Sequence, residues 1–181
     1  IDTIVGGAEF HNRSNYERNV IGDLDILENG YADSHFRIWY ANISAIDEKK
    51  VADRFLVIIK HKQNWEAQLV TSTWKFNDDS AFMVKKQIIN GNPKIGWPKF
   101  IDSLINLGIT SLKDESLVKG MYLRPNANMV HFEIANPHLY RFYSYTTPDY
   151  FKETVPEAAQ VTQILKLVRE QLSFYGLPSE Y

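Results

Sequence analysis

The chain has 181 residues, a mass of 21.0 kDa and a formal net charge of −2. Hydrophobic residues make up 44% of it, which excludes a wholly disordered chain because such chains lack the apolar side chains for a core. The length fits one domain, the charge gives no basic surplus for nucleic-acid binding, and the absence of cysteine excludes disulfides and thiolate metal sites.

Seven segments have the aromatic and β-branched content that is typical of strands. They are residues 36–43, 55–61, 65–74, 82–89, 120–124, 129–135 and 139–145. Most of their connections are too short to contain a crossover helix, which favours an antiparallel sheet. Residues 1–34 show no sustained period, so we predict an irregular N-terminal segment followed by a single α+β domain over 35–181.

Two helices are predicted, over residues 98–107 and 155–174. Thr154 and Glu157 have the spacing of a capping box before the second helix. Its apolar positions form one face and comprise Val161, Ile164, Leu165, Val168 and Leu172. We therefore expect a strongly bent antiparallel sheet of about seven strands with two helices packed on it. The element order also resembles that of pleckstrin-homology-like barrels with a C-terminal helix, which is the alternative fold.

A polar and aromatic face is the main candidate site. If Ala135 faces Leu139 in the last hairpin, Glu133 faces Arg141 and His131 faces Tyr143. Alternation then predicts seven ligand-binding residues on one exposed face, namely Tyr122, Arg124, His131, Glu133, Arg141, Tyr143 and Tyr145. Aromatic rings beside charged groups suit a protein partner or a small polar ligand. A solvated sheet face with a weak Glu133–Arg141 ion pair is the plain structural alternative.

Three functions follow from this face. The first is a non-catalytic domain that binds a protein partner or a small polar ligand. The second is a hydrolase in which His131 and Glu133 are the general acid–base pair, with Tyr122 beside them. The third is an inhibitor or immunity-type protein. No catalytic residue is assigned, and no cofactor or metal is predicted, because the five histidines lack ligand spacing and no nucleophile elbow is present.

The C-terminal part carries a family resemblance. Its residues are Tyr140-Arg-Phe-Tyr-Ser-Tyr145, Pro148, Tyr150-Phe151, and Glu157-Ala158 at the start of the closing helix. This quarter of the chain resembles the tail of uncharacterised exported bacterial proteins, which implies a cell-envelope or secreted setting and no particular activity.

An exported location, periplasmic, lipid-anchored or secreted, is also expected because the first residue is Ile1 and cysteine is absent. A cytoplasmic location is left open, as is the oligomeric state. No apolar run approaches the length of a transmembrane segment, so none is predicted.

Overall fold

The computed structural model describes residues 2–5, 24–25, 27–42, 50–77, 80–122, 124 and 127–174. Its strands are β1 (Asp2–Val5), β2 (His35–Asn42), β3 (Lys50–His61), β4 (Asn64–Asn77), β5 (Ser80–Gly91), β6 (Asn128–Ala135) and β7 (Leu139–Thr146). Its α-helices are α1 (Trp97–Asn106), α2 (Pro148–Phe151) and α3 (Pro156–Leu172), and a 3-10 helix covers Glu115–Leu117. The predicted α+β class is therefore confirmed.

The strands form one open sheet in the order β1-β7-β6-β2-β3-β4-β5. All pairs among β2 to β7 are antiparallel, whereas β1 pairs with β7 in parallel orientation. The outermost described strands, β1 and β5, do not pair with each other. The barrel alternative is therefore wrong, while the strong bend stays a prediction.

The antiparallel sheet has six strands, one fewer than the predicted number. The predicted strand at 120–124 is absent from the described part of this segment, where the chain turns instead. Gly120 has a φ of +95°, in the left-handed region that interrupts an extended strand, and Met121 N–H donates to the carbonyl of Val118. In addition, β1 lies inside the segment that was predicted to be irregular.

One face of the sheet is covered by the helices, as predicted. The main core joins α1 and α3 to the central strands through Phe100, Leu104, Val161, Ile164, Val168, Ile38, Leu56 and Phe132. All five predicted apolar positions of α3 are buried. We call this side of the sheet the helix face.

The capping box is wrong. The N-cap of α3 is Val155, and no side chain caps it. The Thr154 hydroxyl donates instead to the carbonyl of Phe151, 3.2 Å away. Because Pro156 at the first helical position has no N–H, the helix start has one donor fewer to satisfy.

The opposite side of the sheet, which we call the second face, is also covered. Leu27 is fully buried with Ala135, Tyr140 and Phe142, and Tyr31 packs against the same cluster. Further along the sheet, Leu24 packs against a cluster formed by Trp39, Phe55, Val57 and Val70. Residues from the N-terminal segment therefore lie over β7, β6, β2 and β3. The boundary at residue 34 itself stays a prediction.

Candidate functional site

The last hairpin has a different register from the predicted one. Ala135 pairs with Tyr140 rather than Leu139, and Glu133 consequently pairs with Phe142. A shift of one residue turns every side chain of a strand to the other side of the sheet. The predicted pairs Glu133–Arg141 and His131–Tyr143 are therefore wrong.

The seven predicted site residues consequently lie in three places. His131 and Glu133 are on the second face, with the cluster formed by Ala135, Tyr140 and Phe142. Arg141, Tyr143 and Tyr145 point to the helix face, because Tyr143 and Tyr145 belong to the main core. Tyr122 and Arg124 are outside any strand. All five residues from the hairpin are buried, so the predicted exposure of this face is wrong.

Glu133 belongs to a buried ion pair that sequence reasoning missed. Its Oε2 accepts from Nη1 of Arg37 at 3.0 Å, and its Oε1 accepts from the Tyr140 hydroxyl at 3.1 Å. The Arg37 guanidinium also donates through Nη2 to the carbonyl of Asp25, 2.9 Å away, and through Nε to Nε2 of His35, 3.3 Å away. A backbone carbonyl of the N-terminal segment thus accepts a hydrogen bond from the buried Arg37 guanidinium.

Burial shifts the pKa values in this cluster. The pKa of Glu133 is raised because desolvation outweighs the attraction of Arg37, and the negative charge of Glu28 adds to the rise. Burial and the positive charge of Arg37 lower the pKa of His35 to about 3. His35 is therefore neutral at pH 7, and its Nε2 is the acceptor for Arg37.

His131 forms a pair with a serine across the hairpin. Its Nδ1 lies 2.6 Å from Oγ of Ser144, and its ring stacks on Phe142 with a centroid distance of 5.7 Å. Both His131 and Ser144 are buried. Glu133, the other member of the proposed acid–base pair, has both carboxylate oxygens occupied by Arg37 and Tyr140.

The three site residues of β7 anchor a loop. Arg141 Nη2 donates to the carbonyl of Leu112, the Tyr143 hydroxyl to that of Ile109 at 2.7 Å, and the Tyr145 hydroxyl to that of Lys113 at 2.7 Å. Burial raises the pKa of both tyrosines, so their hydroxyls stay protonated as donors. Their observed contacts hold the 107–114 loop on the sheet.

Tyr122 and Arg124 meet at the surface with two residues of α2. The Tyr122 ring packs edge-on against Phe151 with a centroid distance of 4.9 Å, and Tyr150 does the same at 5.0 Å. The Arg124 guanidinium lies 3.7 Å from the centre of the Tyr150 ring. Tyr122 and Tyr150 are 57% and 55% exposed, whereas Phe151 is buried in the main core. We call Tyr122, Arg124 and Tyr150 the tyrosine surface.

The pKa of Tyr122 is raised, chiefly through hydrogen bonding with Tyr150. Tyr150 was not among the predicted site residues, although the Tyr150-Phe151 pair was a visible motif. Its contact with residues 122 and 124 depends on how α2 folds back, which alternation along one strand cannot show.

The rest of the described chain adds no metal site. Among the described residues, no group of three or more His, Asp or Glu side chains is placed to hold a metal ion, and His11 lies outside those residues. Each helix in the described ranges is too short or too polar to cross a membrane. No protein-family model, no curated protein and no solved structure matches the chain.

Proposed function

We propose that the protein is a non-catalytic exported domain that binds a protein partner through the tyrosine surface. The observation that carries the proposal is the pair of half-exposed tyrosines held on a buried phenylalanine, with an arginine stacked on one of them. Tyrosine and arginine are enriched among the residues that dominate binding energy at protein interfaces.

The packing of this surface also supports a binding role. Phe151 fixes both rings from below, so little side-chain freedom is lost when a partner covers them. The rings supply apolar area, while their hydroxyls and the Arg124 guanidinium supply donors at its rim. A partner with an apolar centre and an acidic group beside it matches this chemistry. An inhibitor or immunity-type protein is the special case in which there is one such partner.

The test compares Tyr150→Ala with Ile105→Ala, because both side chains are about half exposed and Ile105 lies on α1. Partners retained by the intact protein from a cell-envelope extract are identified, purified and titrated by calorimetry. We expect Tyr150→Ala to raise the Kd by about tenfold or more, since truncation of a hot-spot residue costs about 2 kcal/mol or more and about 1.4 kcal/mol corresponds to tenfold. Equal affinities for both variants and the wild type would remove the tyrosine surface from the proposal.

A hydrolase is the second candidate, and one contact favours it. The 2.6 Å hydrogen bond between Ser144 Oγ and His131 Nδ1 has the geometry of a nucleophile beside a base. Its burial argues the other way, because a substrate has to reach the hydroxyl. Labelling by a fluorophosphonate that disappears in Ser144→Ala would favour the hydrolase over the binding domain.

A further inference from the structure

The strands near the two edges of the sheet differ in which groups pair with their backbone. On the β7 side, β1 pairs with residues 139–142. Beyond β1, the Ser144 N–H donates to Oδ2 of Asp114 at 2.9 Å, and the Thr146 N–H donates to Oε2 of Glu115. Unpaired strand edges attract other strands. The described edge of β7 is therefore occupied, partly by β1 and partly by the Asp114 and Glu115 side chains, and β1 itself is the outermost described strand on this side.

The β5 edge has no such cover among the described residues. β5 pairs with β4 and with no other described strand. Residues 86–90 are all exposed, and they include Ile88 at 50% and Ile89 at 44% exposure. Successive strand residues point to opposite sides, so apolar area is presented on both faces of the same open edge.

We propose that β5 pairs with β5 of a second copy of this chain, in antiparallel orientation and about a two-fold axis at Ile88. This register places Ile88 opposite its own symmetry mate and Gln87 opposite Ile89. Facing residues of an antiparallel pair point to the same side, and a two-fold axis perpendicular to the sheet preserves that side. The two open edges are thereby closed against each other, and the sheet continues from one copy into the next.

Charge complementarity favours a second copy as the occupant. In this register Lys86 of one copy lies opposite Asn90 of the other, so no two lysines of residues 86–90 face each other. Asn90 pairs with Gln68 of β4, and Glu66 is two residues further along on the same side. The Glu66 side chain is half exposed, and its Oε1 lies 3.3 Å from Nε2 of His61 in the same chain. Each Lys86 can therefore reach Glu66 of the other copy, and symmetry provides this contact twice.

The first test measures association of the full chain by analytical ultracentrifugation over a concentration series. We expect a concentration-dependent species of twice the 21.0 kDa chain mass. Ile88→Lys should raise the dimer Kd by about tenfold or more, because it puts like charges opposite each other at the axis. Ile105→Lys, a change at a similarly exposed isoleucine on α1, should leave the Kd unchanged.

A second test checks the register without adding charge. Because the chain has no cysteine, Ile88→Cys introduces a single thiol that faces its own copy across the axis. A short bismaleimide should cross-link this variant and leave Ile105→Cys uncoupled. Lys86→Glu should weaken the dimer, and adding Glu66→Lys on the same chain should restore it.

Three outcomes would overturn the proposal. They are a wild-type protein that stays monomeric up to its solubility limit, a dimer that Ile88→Lys does not weaken, and equal cross-linking of Ile88→Cys and Ile105→Cys. Capture of an extended strand of another protein by an otherwise monomeric chain would likewise replace the second copy as the occupant.

Discussion

At the scale of single residues, the buried charges explain the second face better than a solvated surface does. Arg37 and Glu133 are both nearly inaccessible, and each has further hydrogen bonds that offset the cost of desolvation. Removing one partner of such a pair leaves the other as an uncompensated buried charge. The cluster is thus better suited to fixing how the N-terminal segment lies on the sheet than to exchanging protons with a substrate.

Burial of His35 in this cluster makes the unfolding free energy of the protein depend on pH. Its pKa is about 3 in the folded protein and near 6.5 when exposed, so the unfolded chain binds a proton that the folded chain excludes. The contribution of His35 to the free energy of unfolding is fully present above pH 6.5, where the imidazole is neutral in both states. This contribution is lost as the pH falls from 6.5 towards 3. We expect the unfolding free energy to fall by up to about 1.4 kcal/mol per pH unit in this window.

The comparison of wild type with His35→Gln isolates this effect in urea unfolding between pH 4 and pH 8. The raised pKa of Glu133 gives an opposite slope, with stability lost as the pH rises, but Glu133 is present in both proteins. The wild-type advantage over His35→Gln should therefore shrink below pH 6.5. His138→Gln, at an exposed histidine, serves as the control. Parallel pH curves for wild type and His35→Gln would contradict the assignment.

At the scale of elements, β7 depends on the 107–114 loop, which precedes β6 in the chain. The loop receives donors from Arg141, Tyr143 and Tyr145 on the helix face. In turn, Asp114 at the end of the loop and Glu115 of the 3-10 helix accept hydrogen bonds from the backbone N–H groups of Ser144 and Thr146 at the edge of the same strand. Side chains from a non-strand segment therefore complete hydrogen bonds that a neighbouring strand supplies elsewhere in the sheet.

Asp114→Ala should lower the free energy of unfolding by about 1–3 kcal/mol, because it leaves the buried N–H of Ser144 without its acceptor. The variant also loses the side-chain acceptor at the start of the 3-10 helix. Hydrogen exchange should show faster exchange at the Ser144 amide. Asp149→Ala, which removes a surface ion pair with Lys152, should change stability by less than about 1 kcal/mol. Similar effects of the two changes would contradict the edge-capping role.

Local patterns predicted the elements well and their pairing poorly. Six of the seven predicted strands and both predicted helices are present, although β3 begins at Lys50 rather than at residue 55 and β4 extends to Asn77 rather than to residue 74. The register of the last hairpin nevertheless differs by one residue, since Ala135 pairs with Tyr140 rather than Leu139. In the β3–β4 hairpin, Ala67 pairs with Ile58. Lys62 adopts a left-handed conformation, with a φ of 57°, in the two-residue turn that sets this register. Composition identifies such a loop but not its length to a single residue.

The predicted placement of the candidate site residues in the last hairpin was wrong because of its one-residue difference in register. Residues on both sides of β6 and β7 are buried, so a shift of one residue exchanged two sets of aromatic side chains without changing the alternation. The Arg37–Glu133 contact joins strands 96 residues apart in sequence, which no local period encodes. Tyr122 and Arg124 proved to be surface residues, but the α2 turn, rather than a strand, organises them.

At the scale of the whole molecule, the sheet lies between two unlike layers. The helices cover one face with apolar side chains. On the other face lie the described residues 24–25 and 27–31, which make apolar contacts and accept a hydrogen bond from a buried arginine. β1, from the same segment, pairs with β7 at one edge. The described residues before β2 therefore pack on the same sheet as the rest of the chain.

Leu27→Ala tests whether that layer belongs to the cooperative unit. Leu27 is fully buried against Ala135, Tyr140 and Phe142, so truncation should lower the free energy of unfolding by about 2–5 kcal/mol. The matched control is Leu117→Ala, at a leucine that is 69% exposed, which should shift it by less than about 0.5 kcal/mol. Unfolding should remain a single transition by near-ultraviolet and far-ultraviolet circular dichroism, with its midpoint lowered. A separate early transition, with the main midpoint unchanged, would mean instead that the N-terminal layer detaches from a domain that is stable without it.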